Sequence, residues 1–439
     1  MSILSSNPVS RISGSIEVPG DKSISHRALM IGAISIGETR ISGMLTGEDV
    51  IKTSEAISSL GIDVLQERNG DWRVSGVGVG GLREPNQVLD LGNSGTGARL
   101  LMGLLATHDL TAQLTGDASL RRRPMQRVVE PLTAIGARVF AADGNRLPLS
   151  ITGTTEPLPL DYVLPVPSAQ VKSAILLAGL NTPGFTSVTE SQPTRNHTEL
   201  MLRNFGAELK VEALNNGSLK TTLTGQPELK GQSILIPGDP SSAAFPAVAA
   251  LIAKKGQVRI PNVGLNPLRI GLFRTLLEMG AKIEFKNPRT EAGERVADLE
   301  VCSSKLTGVV VPPERAPSMI DEYPILAVAA AFAKGTTRML GLSELRVKEC
   351  DRLSAIFEGL RTCGVRTHIE GDDLIVKGDG KEIRGDGRIT THMDHRIAMA
   401  FLVAGVASRN PISIDNDSHI STSFPGFAEL MNLIGAKLS

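Results

Sequence analysis

Aromatic residues are scarce. The 439 residues include one Trp, two Tyr and 11 Phe, about 3% of the chain. Net charge is also absent, with 46 Lys and Arg against 46 Asp and Glu. A general nucleic-acid binder needs a basic face and stacking rings, so nucleic acid is excluded as the expected partner. The three cysteines, Cys302, Cys350 and Cys363, form no CxxC pair. A disulfide framework and a zinc site are thereby excluded, and a reducing compartment is expected. Long hydrophobic runs are missing too. The most apolar stretches, PILAVAAAFA (324–333) and AFPAVAALIA (244–253), are half the roughly 20 residues that span a bilayer. They read as buried helices, and no membrane partner is expected. The opening MSILSSNPVSRISGSIEVPG has no apolar core of a signal peptide, so a cytoplasmic protein is expected.

What the chain has is a repeat. An amphipathic helix, an apolar residue, a glycine and a strand-like stretch recur as AISSLGIDV, LTAIGARV, LRNFGAEL, LLEMGAKI, LRTCGVRT and MNLIGAKL. The glycines are Gly61, Gly136, Gly206, Gly280, Gly364 and Gly435, spaced by 75, 70, 74, 84 and 71 residues. Glycine after a helix suits a left-handed cap, where a Cβ would clash. Each unit also has an earlier polar turn that opens an Ala-, Gly- and Leu-rich helix, as in GDKSISHRALMIGAI and MDHRIAMAFLVAGVA. Such helices are apolar on several sides and predict close packing all round. Alternating stretches such as GSIEV and DLIVKG supply strands.

VPGDKS (18–23) and IPGDPSS (236–242) are near copies of one strand-to-helix turn, three repeats apart. They predict two domains of three repeats each. Residues 21–240 form an inserted domain, and residues 1–20 with 241–439 form a discontinuous one. A chain that crosses twice between equal lobes predicts a hinge and a ligand cleft.

The buried helices begin at polar turns, and helix N-termini attract anions. Basic residues stand beside these turns: Lys22, Arg27, the run Arg121–Arg123 with Arg127, Lys172, Arg195, Lys348, Arg352 and Arg396. Within the triple-Arg run, Arg123 has the best claim because Pro124 follows it. Two carboxylates are acid–base candidates among these cations, Asp321 in SMIDEYP and Glu349 in RVKECDR. Asp321 also reads as a helix N-cap, which is its structural alternative. Other motifs fail. GNSGTG (92–97) is neither a Walker loop nor a Rossmann fingerprint. His392 and His395 lack further ligands for a metal, and there is no GxSxG elbow.

Seven ordered segments carry a resemblance along almost the whole chain: PGDKSISHRAL, LGNSGTGARLLMG, GDASLRRRPM, PSAQVKSAILLAGL, IDEYPILAVAAAFA, LRVKECDRL and MDHRIAMAFLV. The chain resembles the 5-enolpyruvylshikimate-3-phosphate synthase family, with wording like its class II branch. The resemblance implies a two-domain inside-out α/β barrel (enolpyruvyl transferase fold) of six βαβαββ repeats, three per domain. It implies transfer of the enolpyruvyl group of phosphoenolpyruvate to shikimate 3-phosphate, with no metal or organic cofactor and a monomeric enzyme. It also implies roles. Lys22 contacts both substrates and counts, with Asp321 and Glu349, among the catalytic residues. Ser23, Arg27, Ser168, Ala169, Gln170, Arg195 and Lys348 bind shikimate 3-phosphate. Gly95, Arg123, Gln170, Arg352 and Arg396 bind phosphoenolpyruvate. Asp321 accepts the proton of the attacking hydroxyl, and Glu349 carries a proton at the methylene carbon.

Two positions depart from the family pattern. Thr422 stands where many members have Lys, and Glu344 where many have Asn. Tolerant class II members often have Ala where this chain has Gly95, so glyphosate, which occupies the phosphoenolpyruvate site in this family, is expected to inhibit. The UDP-N-acetylglucosamine enolpyruvyl transferases share fold and donor, but their mobile loop usually carries Cys, and GDASLRRRPM has none. A non-catalytic clamp of the same fold is the other alternative. Retention of Lys22, Asp321, Glu349 and Arg396 together argues against it.

Overall fold

A computed structural model describes residues 3–439. By its internal contacts the chain divides into two compact units. One holds the chain up to Pro19, Pro237–Thr290 and Arg295–Ser439; the other holds Gly20–Ile236 and Glu291–Glu294. The divisions after Pro19 and Ile236 fall beside the two near-copied turns. The short piece 291–294 is the tip of a long hairpin, Lys282–Glu291 and Glu294–Cys302. Its assignment to the unit of residues 20–236 was not expected from NPRTEAGER. Glu294 there meets the Nδ1 of His197 at 2.6 Å.

The repeat is clearest in residues 89–152. A strand (Leu89–Asp90), an inner helix, a strand (Thr111–Thr115), a surface helix (Gln126–Ile135) and two strands (Arg138–Ala142, Arg146–Thr152) follow in order. The first strand runs parallel to the second, and the remaining pairings are antiparallel. Among the described residues there are six sheets, five of four strands and one of three. Each contains one parallel pair. Strand Ile12–Ser15 completes a sheet of the first unit by pairing with Gly256–Gly264, so the N-terminal segment belongs there. Strand Ser233–Leu235 closes the first sheet of the other unit against Ile36–Ser42. The six repeat glycines all adopt positive φ, between 80° and 121°. That is the region glycine enters without a Cβ penalty.

The six inner helices are α1 (Lys22–Ala33), α2 (Gly95–Leu105), α3 (Ala169–Gly179), α4 (Pro240–Ile252), α5 (Tyr323–Phe332) and α6 (His395–Ala407). In α4 every residue from Pro240 to Leu251 is buried, and in α6 every residue from His395 to Val406. Small residues make this possible. A Cβ on Gly103 of α2 would lie 2.3 Å from the Ala174 carbonyl oxygen of α3, so those backbones approach closer than any side chain allows. Each unit has its own hydrophobic core, built around α1–α3 in one and α4–α6 in the other. No helix among the described residues is long and apolar enough to cross a membrane.

Candidate active site

The inner helices present their N-terminal turns through side-chain caps. Asp21, Ser94, Ser168, Asp239 and Asp394 each accept a backbone N–H from the first turn of α1, α2, α3, α4 and α6. In this way short polar residues before an apolar run place the candidate side chains at helix openings.

In the unit of residues 20–236, Lys22 is the first residue of α1 and pairs with Asp49 at 3.0 Å. One turn on, Arg27 is buried. Its Nη1 donates to the Ser23 carbonyl at 2.8 Å, Nε to Thr198 at 2.7 Å and Nη2 to Ser173 at 2.7 Å. No carboxylate neutralises it within ion-pair distance among the described residues. Burial pulls its pKa down to about 10, opposed by Glu199 and Asp21 and reinforced by Arg195. A buried cation held by hydroxyls and a carbonyl is a ready seat for an anion.

Gly95 opens α2. An added Cβ there would lie 2.8 Å from Arg99 Nη1 and 3.1 Å from Arg123 Nη1. Gln170, in the first turn of α3, donates to Thr96 at 2.9 Å and accepts from Arg99 at 3.1 Å. Arg99 also donates to the Gly95 and Pro124 carbonyls. One guanidinium therefore ties together Gly95, Gln170 and the loop carrying Arg123. Arg123 bonds the Asn93 side chain at 2.7 Å and Ser119 at 3.2 Å, whereas Arg121 and Arg122 are exposed. Ser168, Ala169 and Arg195 are half-buried.

Lys172 does not join this group. It is buried, with Glu190 and Glu199 each 2.8 Å from its ammonium. Burial alone would lower its pKa, but the two glutamates overcome this and raise it. Its position in PSAQVKS suggested an anion ligand; the structure makes it an internal ion pair.

In the other unit, Arg352 is fully buried and is the centre. Its Nε donates to Asp394 at 2.7 Å, Nη1 to Asp321 at 3.1 Å, and Nη2 to Glu349. Burial opposes its charge, yet these carboxylates raise its pKa well above the usual value. Asp321 is not the N-cap of α5, since Glu322 holds that position. Lys348 is half-buried; desolvation lowers its pKa while Asp321 and, more weakly, Glu349 and Glu344 oppose this. Glu344 therefore stands in the electrostatic field of Lys348. Arg396, in the first turn of α6, donates to the Asp321 carbonyl at 3.4 Å and lies 3.6 Å from Glu322.

His392 and Met393, just before Asp394, both adopt left-handed backbone, φ 51° and 61°. Two such residues in a row are costly for side chains with a Cβ. This strained turn delivers Asp394 to both the α6 backbone and Arg352. Cys350 Sγ lies 3.7 Å from Asp394, and burial pushes its thiol pKa far up, so it is no thiolate nucleophile. The Thr422 hydroxyl donates to the His419 carbonyl at 2.7 Å, which commits its proton internally. No group of three His, Cys, Asp or Glu among the described residues could hold a metal ion.

Three participants escaped sequence reasoning. Asp394 was legible as a cap in MDHR, but not as a partner of Arg352, which lies 42 residues earlier. Asp49 and Arg99 gave no signal beyond being charged. Chemically, the unit of residues 20–236 offers a desolvated cation and a glycine-opened helix turn flanked by arginines, features that suit an anionic reactant. The other unit offers three carboxylates on one guanidinium, a group suited to holding and moving protons.

Comparison with known proteins gives the same direction. The family model for EPSP synthase (3-phosphoshikimate 1-carboxyvinyltransferase) matches residues 6–431. A 3-phosphoshikimate 1-carboxyvinyltransferase of Paramagnetospirillum magneticum is 61% identical over 436 residues, 99% of this chain and 98% of that one. One of Rhodospirillum rubrum is 59% identical, covering 98% of this chain and 96% of that one. Among solved structures, an EPSP synthase from Acinetobacter baumannii superposes with a TM-score of 0.89 at 42% identity, each chain covered completely. The chain belongs to the EPSP synthase (3-phosphoshikimate 1-carboxyvinyltransferase) family.

Proposed function

We propose that the residues described above divide the family's reaction among themselves as follows. The enolpyruvyl group of phosphoenolpyruvate passes to the 5-hydroxyl of shikimate 3-phosphate, and phosphate is released, on the route to chorismate and the aromatic amino acids. Asp321 takes the hydroxyl proton as the oxygen bonds to the central carbon of the donor. Glu349 delivers a proton to the methylene carbon, making it a methyl group. The tetrahedral intermediate then loses phosphate, which takes up the proton held by Asp321, while a methyl proton returns to Glu349, restoring the double bond and both carriers. No covalent bond to the enzyme forms.

Lys22, Ser23, Arg27, Ser168, Ala169, Gln170, Arg195 and Lys348 bind shikimate 3-phosphate. Lys22, Gly95, Arg123, Gln170, Arg352 and Arg396 bind phosphoenolpyruvate. Fixed cations stabilise the charged intermediate without reorganising. The observation that carries this reading is Arg352 holding Asp321 and Glu349 on its two terminal nitrogens. One guanidinium thereby sets both proton carriers in place.

The enzyme acts as a monomer in the cytoplasm. Glyphosate competes with phosphoenolpyruvate, because no methyl group stands at Gly95, where a Cβ would crowd Arg99 and Arg123. The test is phosphate release by the purified chain. Release that requires both substrates supports the reading; release with phosphoenolpyruvate alone, or none with both, overturns it.

A further inference from the structure

Among the inner helices, α5 lacks a side-chain cap, and the residue at its cap position is Glu322. This carboxylate is 2% exposed. Its Oε1 accepts a hydrogen bond from the Ser241 hydroxyl and lies 3.6 Å from Arg396 Nη1 and 4.0 Å from Arg269 Nη1. Arg269 in turn donates to Ser241 at 3.0 Å and to Asp239 at 2.9 Å. Glu322 thus joins the first turns of α4, α5 and α6. A buried carboxylate is costly unless cations and donors meet it, and here two guanidiniums and a hydroxyl gather at Oε1, while Oε2 accepts no hydrogen bond among the described residues.

The effect on Arg396 is directional. Both contacts of its guanidinium, the Asp321 carbonyl and Glu322, fall on Nη1. Nε and Nη2 have no hydrogen-bond partner among the described residues. One edge is braced and the other is left for a ligand.

We infer that Glu322 is a positioning residue for phosphoenolpyruvate. It does not touch the substrate; it holds Arg396 so that the open edge of its guanidinium meets the donor's anionic group. The inference rests on the assignment of Arg396 to phosphoenolpyruvate made above. An alternative physical effect has the opposite sign. A carboxylate beside an anion-binding arginine also weakens that arginine's pull on anions, so removing the charge alone would tighten binding.

Glu322→Gln separates the two, because the amide oxygen still accepts from Ser241 while the charge is gone. Positioning predicts that KM for phosphoenolpyruvate rises about tenfold, with kcat within about threefold and shikimate 3-phosphate affinity unchanged. In an Arg396→Gln background the same substitution should add almost nothing. An unchanged or lower KM in Glu322→Gln, or an equal rise in the Arg396→Gln background, overturns the inference. Should Glu322→Gln fail to fold, Glu322→Asp takes its place: charge is kept, reach is shortened, and KM should rise by a smaller factor, again only with Arg396 present. No rise in Glu322→Asp is equally contrary. Arg396→Gln alone distinguishes the levels. If it leaves KM for phosphoenolpyruvate unchanged, the site assignment falls and the inference with it. If it raises KM while Glu322→Gln does not, only the inference falls.

Discussion

Arg352 donates to Asp321 across 3.1 Å while its own guanidinium is fully buried. The pair restrains the Asp321 carboxylate from the start of the surface helix Arg352–Thr362. Asp394 and Glu349 occupy the other two nitrogens. Arg352 is therefore matched by three carboxylates, whereas Arg27 is held by two hydroxyls and a carbonyl.

Arg27 should trade stability for binding. Its burial already costs free energy, so Arg27→Met should change the stability of the unliganded chain by about 1 kcal/mol or less. Shikimate 3-phosphate should raise the Tm of the wild type through linkage. In the variant that rise should vanish, with affinity lower by about 100-fold. A retained ligand shift, together with a large loss of unliganded stability, would make Arg27 a structural residue.

Gly95 sets the space next to Arg99 and Arg123. Wild type should be inhibited by glyphosate competitively with phosphoenolpyruvate. Gly95→Ala should weaken glyphosate about tenfold more than the donor, since overpacking of this size costs about 1–3 kcal/mol and falls on the ligand needing the space. Inhibition constants across donor concentrations decide it. Tolerance already present in the wild type, unaltered by Ala, would put the discriminating contact elsewhere.

Stability should depend on pH through two buried imidazoles. His26 is pushed well below its ordinary 6.5 by burial, then by Lys22 and Arg27. His108 is lowered by burial against a bond to the Leu104 carbonyl. As pH falls through about 6.5 the unfolded chain binds these protons and the folded chain does not, so stability is lost. The Asp298 carboxyl, held at about 2 by the Asn262 N–H and Arg259, acts in a separate window, losing its contribution only as pH falls from 3.8 towards 2. The denaturant midpoint should drop between about pH 7.5 and 5.5, and less steeply in His26→Gln and His108→Gln. Equal slopes in wild type and both variants would assign the dependence to other groups.

The sequence made the repeat legible because its markers are local. A glycine forced to positive φ must follow each surface helix, and Asp21 and Asp239 cap two helices through near-identical turns. The position of Arg27 and Arg396 in the opening turns of inner helices was legible by the same logic. Partner choice was not legible, since it depends on elements far apart in the chain. Lys172 follows a helix opening just as a ligand would, yet Glu190 and Glu199 claim it. Glu322 reads as one more acid in IDEYP until the folded chain brings Ser241 against it from 81 residues away. Hairpin tip 291–294 carries no signal of its own; its assignment came with Glu294 meeting His197.

Turnover by Asp321→Asn tests the central claim most directly. The amide oxygen can still accept from Arg352, so position is kept while the basic oxygen is lost. With both substrates saturating, phosphate release should fall by about 100-fold or more, with shikimate 3-phosphate affinity close to that of the wild type. Near-normal turnover in a folded variant would contradict the account, removing Asp321 as the base and leaving its pairing with Arg352 structural.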